Sequence, residues 1–241
     1  MDGDLAGAMA DYEQALKYAH DLGSREDTMQ VHVRLSGLAV RLGDFEAAKL
    51  HVQAAKDQMA GQPRLTERAM LADGVLAIAL WFGGERDAAR STCAELRARV
   101  TVAASGSLVH EHVVALVRSI TGFVAAQSGD MSTAMVDLQV AYPAAVSTRD
   151  MPILAAVGVC TAALAQALGR AEAAAVMLGA AAKVRGSDDL TDPPVAWLTD
   201  TLRQTLGGRF AEKYAEGKGL ALPRAVAALS PARLRSAGGL R

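Results

Sequence analysis

Gly43-Asp44-Phe45-Glu46-Ala47-Ala48 is one copy of a pattern that occurs five times along the chain. In each copy a glycine, followed by an acid in four of the five, precedes an alanine by five residues. Successive glycines are 40, 41, 45 and 40 residues apart, and such a period indicates a helical repeat array. The glycines are Gly3, Gly43, Gly84, Gly129 and Gly169, and the alanines are Ala8, Ala48, Ala89, Ala134 and Ala174.

Each repeated glycine follows one predicted helix and precedes another. Glycine ends a helix at low energetic cost because it adopts the left-handed conformation, and an acid favours the N-terminus of the next helix. Ser24, three residues before Asp27, is a predicted N-terminal cap. The hydrophobic pattern predicts first helices at 24–42, 65–82, 107–128 and 151–168, and second helices at 4–22, 44–60, 85–100, 130–147 and 170–185.

Small residues recur at two further positions, which predicts that the helices of a hairpin approach each other closely. Seven residues before the glycine stand Ser36, Ala77, Gly122 and Ala162. Twelve residues after it, four of the five residues are small: Ala15, Ala55, Ala141 and Ala181, with Leu96 as the exception. Bulkier residues lie between the alanine positions, at Tyr12, Val52, Cys93, Leu138 and Leu178.

The spacing of these small residues and of the turn glycine resembles that of the tetratricopeptide repeat (TPR). The resemblance covers about residues 1–186 and implies an all-α, right-handed superhelical array of antiparallel helical hairpins. The period of 40 or more residues favours the longer-helix repeats of large bacterial regulators. Where the TPR has a large aromatic residue early in its first helix, this chain has His32, Asp73, Arg118 and Gly158.

A different pattern begins after Gly186. The polar stretch that follows predicts a loop in which Asp192 caps a helix starting at Pro193. A short helix, a glycine-containing link at 217–219 and a last helix ending at Leu229 come next. The predicted apolar face of the first of these helices is Val195, Leu198, Leu202 and Leu206. We predict three parts: a TPR-like array at 1–186, a short helical C-terminal cap at 187–229 and a flexible tail at 230–241.

The C-terminal stretches 178–181, 210–222 and 225–229 are similar to the end of the TPR region in multidomain bacterial transcriptional regulators. These regulators are antibiotic regulatory proteins of the AfsR-like (SARP) family and large MalT-like LuxR proteins. The resemblance implies a sensory or interaction domain that binds a partner protein, a peptide or a small-molecule effector and controls an attached DNA-binding output domain. A free-standing TPR adaptor that bridges other proteins is the alternative.

The predicted helix at 4–22 has no preceding helix in its hairpin. Three explanations stay open. The chain is a fragment of a longer protein, or another subunit covers the helix as in a homodimer, or the array accepts a single capping helix.

Composition limits the partners and the compartment. The net charge is -1, which predicts no direct contact with nucleic acid, because phosphate binding requires clustered Lys and Arg. Cys93 and Cys160 form neither a CxxC motif nor a disulfide framework, so we predict a cytoplasmic protein. Residues 151–169 are uncharged, but their alanine content and the repeat pattern at their end predict a buried helix and no membrane span.

The sequence predicts no catalytic residue, no metal ligand and no cofactor, and therefore no enzyme. Asp188-Asp189-Leu190-Thr191-Asp192 has the spacing of a magnesium-binding motif of terpene synthases, but it lies in a predicted loop of a chain with only 4% aromatic residues. His110-Glu111-His112 does not place two histidines on one helix face and is typical of a solvated helix start.

A binding surface is the remaining functional prediction. The TPR resemblance implies that the first helices line a concave face. Trp81, Phe82 and Phe123 form a predicted aromatic group there, with packing between hairpins as their alternative role. Arg41, Gln127 and Gln166 are suited to orient a carboxylate or a peptide backbone, with plain solvation as the alternative. The full set of predicted contact residues is Val33, Arg41, Ile78, Trp81, Phe82, Phe123, Gln127 and Gln166.

Overall fold

Every regular element that the computed structural model describes, within residues 4–60, 66–102 and 108–235, is helical. The prediction of an all-α fold is confirmed. The α-helices are α1 Leu5–Asp21, α2 Arg25–Leu42, α3 Phe45–Met59, α4 Thr66–Phe82, α5 Arg86–Val102, α6 Leu108–Gln127, α7 Met131–Thr148, α8 Met151–Ala167, α9 Ala171–Arg185, α10 Pro193–Leu206, α11 Arg209–Lys218 and α12 Leu222–Ala228. A 3₁₀ turn, Pro231–Leu234, follows α12.

The repeated glycines end helices in the predicted conformation. Their φ angles are 77° at Gly43, 91° at Gly84, 87° at Gly129 and 75° at Gly169. The acid after the glycine then caps the next helix, as where Asp44 Oδ1 accepts a hydrogen bond from the Ala47 N–H at 2.9 Å. The glycine conformation is thus confirmed at these four positions and the acid cap at Asp44 and Asp130, whereas Gly3 lies outside the described residues.

Most predicted helix limits agree with the observed helices to within one or two residues. The predicted cap at Ser24 is confirmed, because its Oγ accepts from the Asp27 N–H at 3.3 Å and donates to Asp27 Oδ2 at 2.6 Å. The predicted starts at 65 and 107 lie outside the described residues. The capping predictions hold because each is decided by a few neighbouring residues.

The chain forms two compact units. The first unit comprises Met1–Val102 with Thr191–Pro193, and the second comprises Ala103–Leu190 with Pro194–Arg241. The three-part division predicted at 186/187 and 229/230 stays a prediction.

In the first unit, each of the helices α1 to α4 packs against the next one along the chain. The alanines five residues after the glycines, Ala48 and Ala89, are fully buried there. A core cluster contains Met29, Val52, Ala55, Met59 and Ala72.

In the second unit, α6 packs against α7 and α8, and α9 packs against α8, α11 and α12. Ala134 and Ala174 are fully buried. Gly122 on α6 lies so close to α7 that an added Cβ would be 2.9 Å from the Leu138 Cγ. The predicted close approach is therefore observed in both units.

The uncharged stretch at 151–169 forms α8, in which 11 of 17 residues are buried. This confirms the prediction of a buried helix. None of the helices among the described residues combines the length and the apolar composition that a membrane span requires.

Helices α9 and α11 cross at two glycines. A Cβ on Gly179 would lie 2.0 Å from the Tyr214 carbonyl oxygen, and a Cβ on Gly217 would lie 1.9 Å from the Val176 carbonyl oxygen. The sequence analysis placed Gly217 in a link after the short helix, but it belongs to α11 and is buried. Helix α11 continues through Gly217 because packing against α9 stabilises it there, and only glycine permits such close contact.

Part of the predicted tail at 230–241 is structured. Pro231 and Leu234 are buried, and the Arg170 Nη1 donates to the Leu234 carbonyl oxygen at 2.6 Å. These contacts connect the chain after α12 to the start of α9. Residues 236–241 lie outside the described part.

We predict that Gly217→Ala lowers the free energy of unfolding by about 3 kcal/mol or more, because the methyl group overlaps backbone atoms of α9. Urea unfolding followed by circular dichroism measures the change. Gly208→Ala is the matched control in the same unit, since nothing lies within 4 Å of its Cβ position, and its effect is expected within about 0.5 kcal/mol. Equal effects of both substitutions would contradict the close crossing.

Candidate functional site

The five predicted contact residues of the first unit have separate partners. Val33 packs beside the core cluster of Met29 and Val52. Ile78 and Trp81 are buried, with 8% and 5% of their surface exposed. The Arg86 guanidinium lies 4.1 Å from the centre of the Trp81 ring, which is a cation–π distance.

Two other predicted residues of this unit contact the chain outside their own helix. Phe82 is half-buried, and its ring stacks on Phe45 with the centroids 6.4 Å apart. Arg41, also half-buried, donates from Nη1 to the Thr191 Oγ1 at 2.7 Å. Thr191 belongs to the same unit. Arg41 thus binds Thr191, which lies in the chain segment between α9 and α10.

In the second unit, Phe123 is fully buried on α6. Trp197 of α10 meets its ring edge-on at a centroid distance of 5.7 Å. The sequence pattern does not predict this contact of Trp197. The α10 residues Leu198 and Leu202 are also fully buried.

Gln127 and Gln166 each contain a buried amide atom without a hydrogen-bond partner, Nε2 of Gln127 and Oε1 of Gln166. Both residues were predicted to orient a carboxylate or a peptide backbone. Their binding role, like that of the other six residues, stays a prediction. The burial of Trp81 and Phe123 favours the packing alternative for these two residues.

Three polar residues, His32, Asp73 and Arg118, stand where the TPR has an aromatic residue. Each of them has a side-chain partner in the structure. Asp73 on α4 accepts from Lys56 Nζ at 2.8 Å and also from the Arg99 guanidinium at its other oxygen. In the second unit, Arg118 Nη1 donates to Asp137 Oδ1 at 2.7 Å, and the Thr121 hydroxyl donates to Asp137 Oδ2 at 2.7 Å. Asp137 is fully buried.

His32 occupies the same repeat position, and its partner is a second histidine. The Nδ1 atoms of His32 on α2 and His51 on α3 are 3.1 Å apart, and the ring centroids are 5.3 Å apart. His20 of α1 meets the His32 ring edge-on at 6.5 Å. At this separation one Nδ1 donates its hydrogen and the other accepts it, so the accepting ring is neutral.

The sequence predicts no role for these histidines, although their distances from the repeated glycine indicate that they pair. His32 and Arg118 each lie eleven residues before their glycine, and His51 and Asp137 each lie eight residues after it. The Arg118–Asp137 and His32–His51 pairs therefore join equivalent positions of two hairpins.

The surroundings lower the pKa of both histidines. Burial lowers the pKa of His32 most, followed by the charges that His51 and His20 acquire on protonation. Burial also lowers the pKa of His51, while the carboxylates of Glu13 and Asp44 act against this shift. Protonation of both rings would place two N–H groups face to face, so the contact opposes the doubly protonated pair.

The carboxylates of the DDxxD-like stretch contact basic or hydroxyl groups. Asp188 accepts from the Tyr214 hydroxyl, and from Lys218 Nζ at 2.6 Å. Asp189 lies 2.6 Å from the Arg185 guanidinium. Within residues 4–60, 66–102 and 108–235, no three His, Cys, Asp or Glu side chains are grouped so that they could hold a metal ion.

The His110-Glu111-His112 motif is only partly solvated. His110 is buried, with 8% exposed, contrary to the expected solvated helix start. His112 Nε2 lies 3.6 Å from Asp150 Oδ2. The motif therefore contributes to the contact of α6 with the start of α8.

The outer side of α7 exposes apolar side chains. Val136, Val140 and Val146 are 58%, 40% and 41% exposed, and Pro143 is exposed between them. Asp137 is the only charged residue from Met131 to Thr148, and its side chain is turned inward. This outer side is called the α7 face below. Exposed apolar side chains that form a patch mark interaction sites in proteins.

No family model, curated protein or solved structure matches this chain.

We predict that Arg118→Ala lowers the free energy of unfolding by about 3–5 kcal/mol, because it leaves the buried Asp137 without its ion-pair partner. Urea unfolding near neutral pH measures the effect. Arg68→Ala, which removes a surface pair with Glu26 at 2.6 Å, is the control and is expected to cost at most about 1 kcal/mol. A loss at Arg118 no larger than at Arg68 would show that the buried pair does not contribute as described.

We predict that stability falls as the pH drops below about 6.5, the ordinary histidine pKa, because the unfolded chain takes up protons that folded His32 and His51 bind less readily. Their stabilising effect is complete above that pH and is lost as the pH falls through the lowered folded-state pKa values. His32→Gln keeps an amide that can bond to His51 but cannot titrate.

Urea midpoints at about pH 7.5 and about pH 5.5 are compared for wild type, His32→Gln and the control His112→Gln. The decrease in urea midpoint between the two pH values is expected to be smaller in His32→Gln than in wild type, and to be unchanged in His112→Gln. An unchanged fall in His32→Gln would exclude His32 as its source.

Proposed function

We propose that this chain is a non-enzymatic, TPR-like sensory and protein-interaction domain of a bacterial transcriptional regulator in the cytoplasm. It binds a partner protein or an effector and thereby changes how an attached DNA-binding domain is presented. Helical hairpins with left-handed glycine turns and buried alanines support the TPR-like part of the proposal. The resemblance of the C-terminal stretches to regulator sequences supports the transcriptional part.

The observation that carries the interaction role is the α7 face. A helix of 18 residues that exposes three valines and a proline, with its single carboxylate turned inward, offers a surface without charge. The partner that complements it is a protein with an uncharged apolar surface, because burying a charged group against this face would leave that charge unpaired.

Binding at the α7 face acts on an output domain only if the partner prefers one arrangement of the regulator over another. A partner of equal affinity for both arrangements would bind without any effect on transcription. The proposal therefore requires that loss of the contact and loss of the protein change the same transcripts.

We predict that Val136→Glu with Val140→Glu, introduced into the native gene, changes the same transcripts as deletion of the gene. Binding of an apolar partner would strip water from the two new carboxylates on the α7 face without giving them a hydrogen-bond partner, which weakens the binding. RNA sequencing compares the variant, the deletion strain and wild type. The control Gln204→Glu places a carboxylate at an exposed position on α10 and is expected to leave the transcripts unchanged.

Thermal unfolding and the cellular protein level must match between the variant and the control, because all three positions are exposed and little stability is at stake. If deletion of the gene changes no transcripts, the regulator proposal is wrong. In that case, loss of a co-purifying protein in the valine variant alone would favour the free-standing adaptor. If only deletion has an effect, the α7 face is not the interaction surface.

A further inference from the structure

A cleft in the second unit combines an apolar lining with two arginines. It lies between α9, the end of α12 and the 3₁₀ turn Pro231–Leu234, and its volume is about 280 Å³. Val176, Met177 and Leu234 contribute apolar side chains to its wall. Arg170 and Arg233 line it as well, and we name it the Arg170–Arg233 cleft.

The cleft is anchored at one side and open at the other. Arg170 is fixed by the 2.6 Å hydrogen bond from its Nη1 to the Leu234 carbonyl oxygen. Met177 and Leu234 are buried, with 4% and 3% exposed. Arg233 and Ala173, which also lines the cleft, are exposed to solvent. A ligand can therefore enter from the Arg233 side and reach an apolar wall.

The charges around the cleft favour an anion. The charged side chains in its lining, Arg170 and Arg233, are both basic. Glu172 in the first turn of α9 is paired with Arg209, their atoms 2.6 Å apart. Guanidinium groups bind carboxylates through charge-assisted, often bidentate hydrogen bonds.

We infer that the Arg170–Arg233 cleft binds a small carboxylate with an apolar chain, of the size of octanoate. Its carboxylate contacts the exposed Arg233 guanidinium, and its chain lies along Val176, Met177 and Leu234. The volume is just below the range of about 300–1,000 Å³ typical of small-molecule sites, which limits the ligand to roughly ten non-hydrogen atoms. A ligand of this size binds with a Kd between about 10 μM and 1 mM.

Titration calorimetry of the full chain with octanoate tests the inference directly, independently of any effect on transcription. We expect saturable binding of one octanoate per chain. Octylammonium, which has the same chain and the opposite charge, is expected to give no saturable signal. Octanol, without a charge, is expected to bind at least roughly tenfold more weakly, since it lacks the ion pair.

Two substitutions locate the site. Arg233→Gln is expected to weaken octanoate binding roughly three- to tenfold, because it removes an exposed guanidinium from the cleft. Arg235→Gln is the matched control, since Arg235 is exposed two residues away and does not line the cleft. Ala173→Trp at the exposed rim is expected to abolish binding by filling the space, with circular dichroism used to confirm that the variant is folded.

Three results would overturn the inference. The first is the absence of saturable octanoate binding at millimolar concentration. The second is an equal loss in Arg233→Gln and Arg235→Gln, which would indicate attraction to the basic segment as a whole. The third is unchanged binding by folded Ala173→Trp, which would place the ligand elsewhere.

Discussion

The close approach of paired helix backbones is the constraint on which the other features of the fold depend. It is possible only where the facing residues are alanine or glycine, as at the fully buried Ala134 and Ala174 and at the crossing of α9 and α11 through Gly179 and Gly217. Each such contact buries little side-chain surface, so a stable core requires many of them in succession. A repeat provides this succession, because the glycine turn returns the chain to the same contact in each hairpin.

Close backbones also determine what a polar side chain between the helices can do. The position eleven residues before the glycine is occupied by His32, Asp73, Arg118 and Gly158. A charged side chain held there is costly without a partner, and Arg118 finds Asp137 while Asp73 finds Lys56 and Arg99. At Gly158 the Leu229 side chain fills the space, since a Cβ on Gly158 would lie 2.7 Å from Leu229 Cδ1. The residue at this position and the group that it contacts thus differ from hairpin to hairpin, and these contacts distinguish otherwise similar repeats.

The parts of the structure that the sequence predicts are those decided over short distances. The turns at Gly43 and Gly129, the cap at Ser24 and the start of α10 at Pro193 each depend on residues within one helical turn, and all are observed. The histidine pair, the contact of Trp197 with Phe123 and the burial of Gly217 join residues from different helices. Their pairing depends on how helices are rotated and offset against one another, which periodicity alone does not determine. The predicted concave-face residues depend on that rotation too, so the candidate site was less predictable than the fold.

The two surfaces described in the second unit share structural elements. Helix α7, which exposes Val136 and Val140, packs against the 3₁₀ turn Pro231–Leu234, and its Tyr142 hydroxyl donates to the Val226 carbonyl oxygen of α12 at 3.0 Å. The same turn provides Arg233 and Leu234 to the Arg170–Arg233 cleft. A ligand in the cleft therefore contacts an element that also supports α7. Coupling between the surfaces requires more than this proximity, because a ligand shifts α7 only if it binds one position of the turn more tightly than another. By reciprocity, a partner on α7 would then change the ligand affinity of the cleft by the same factor.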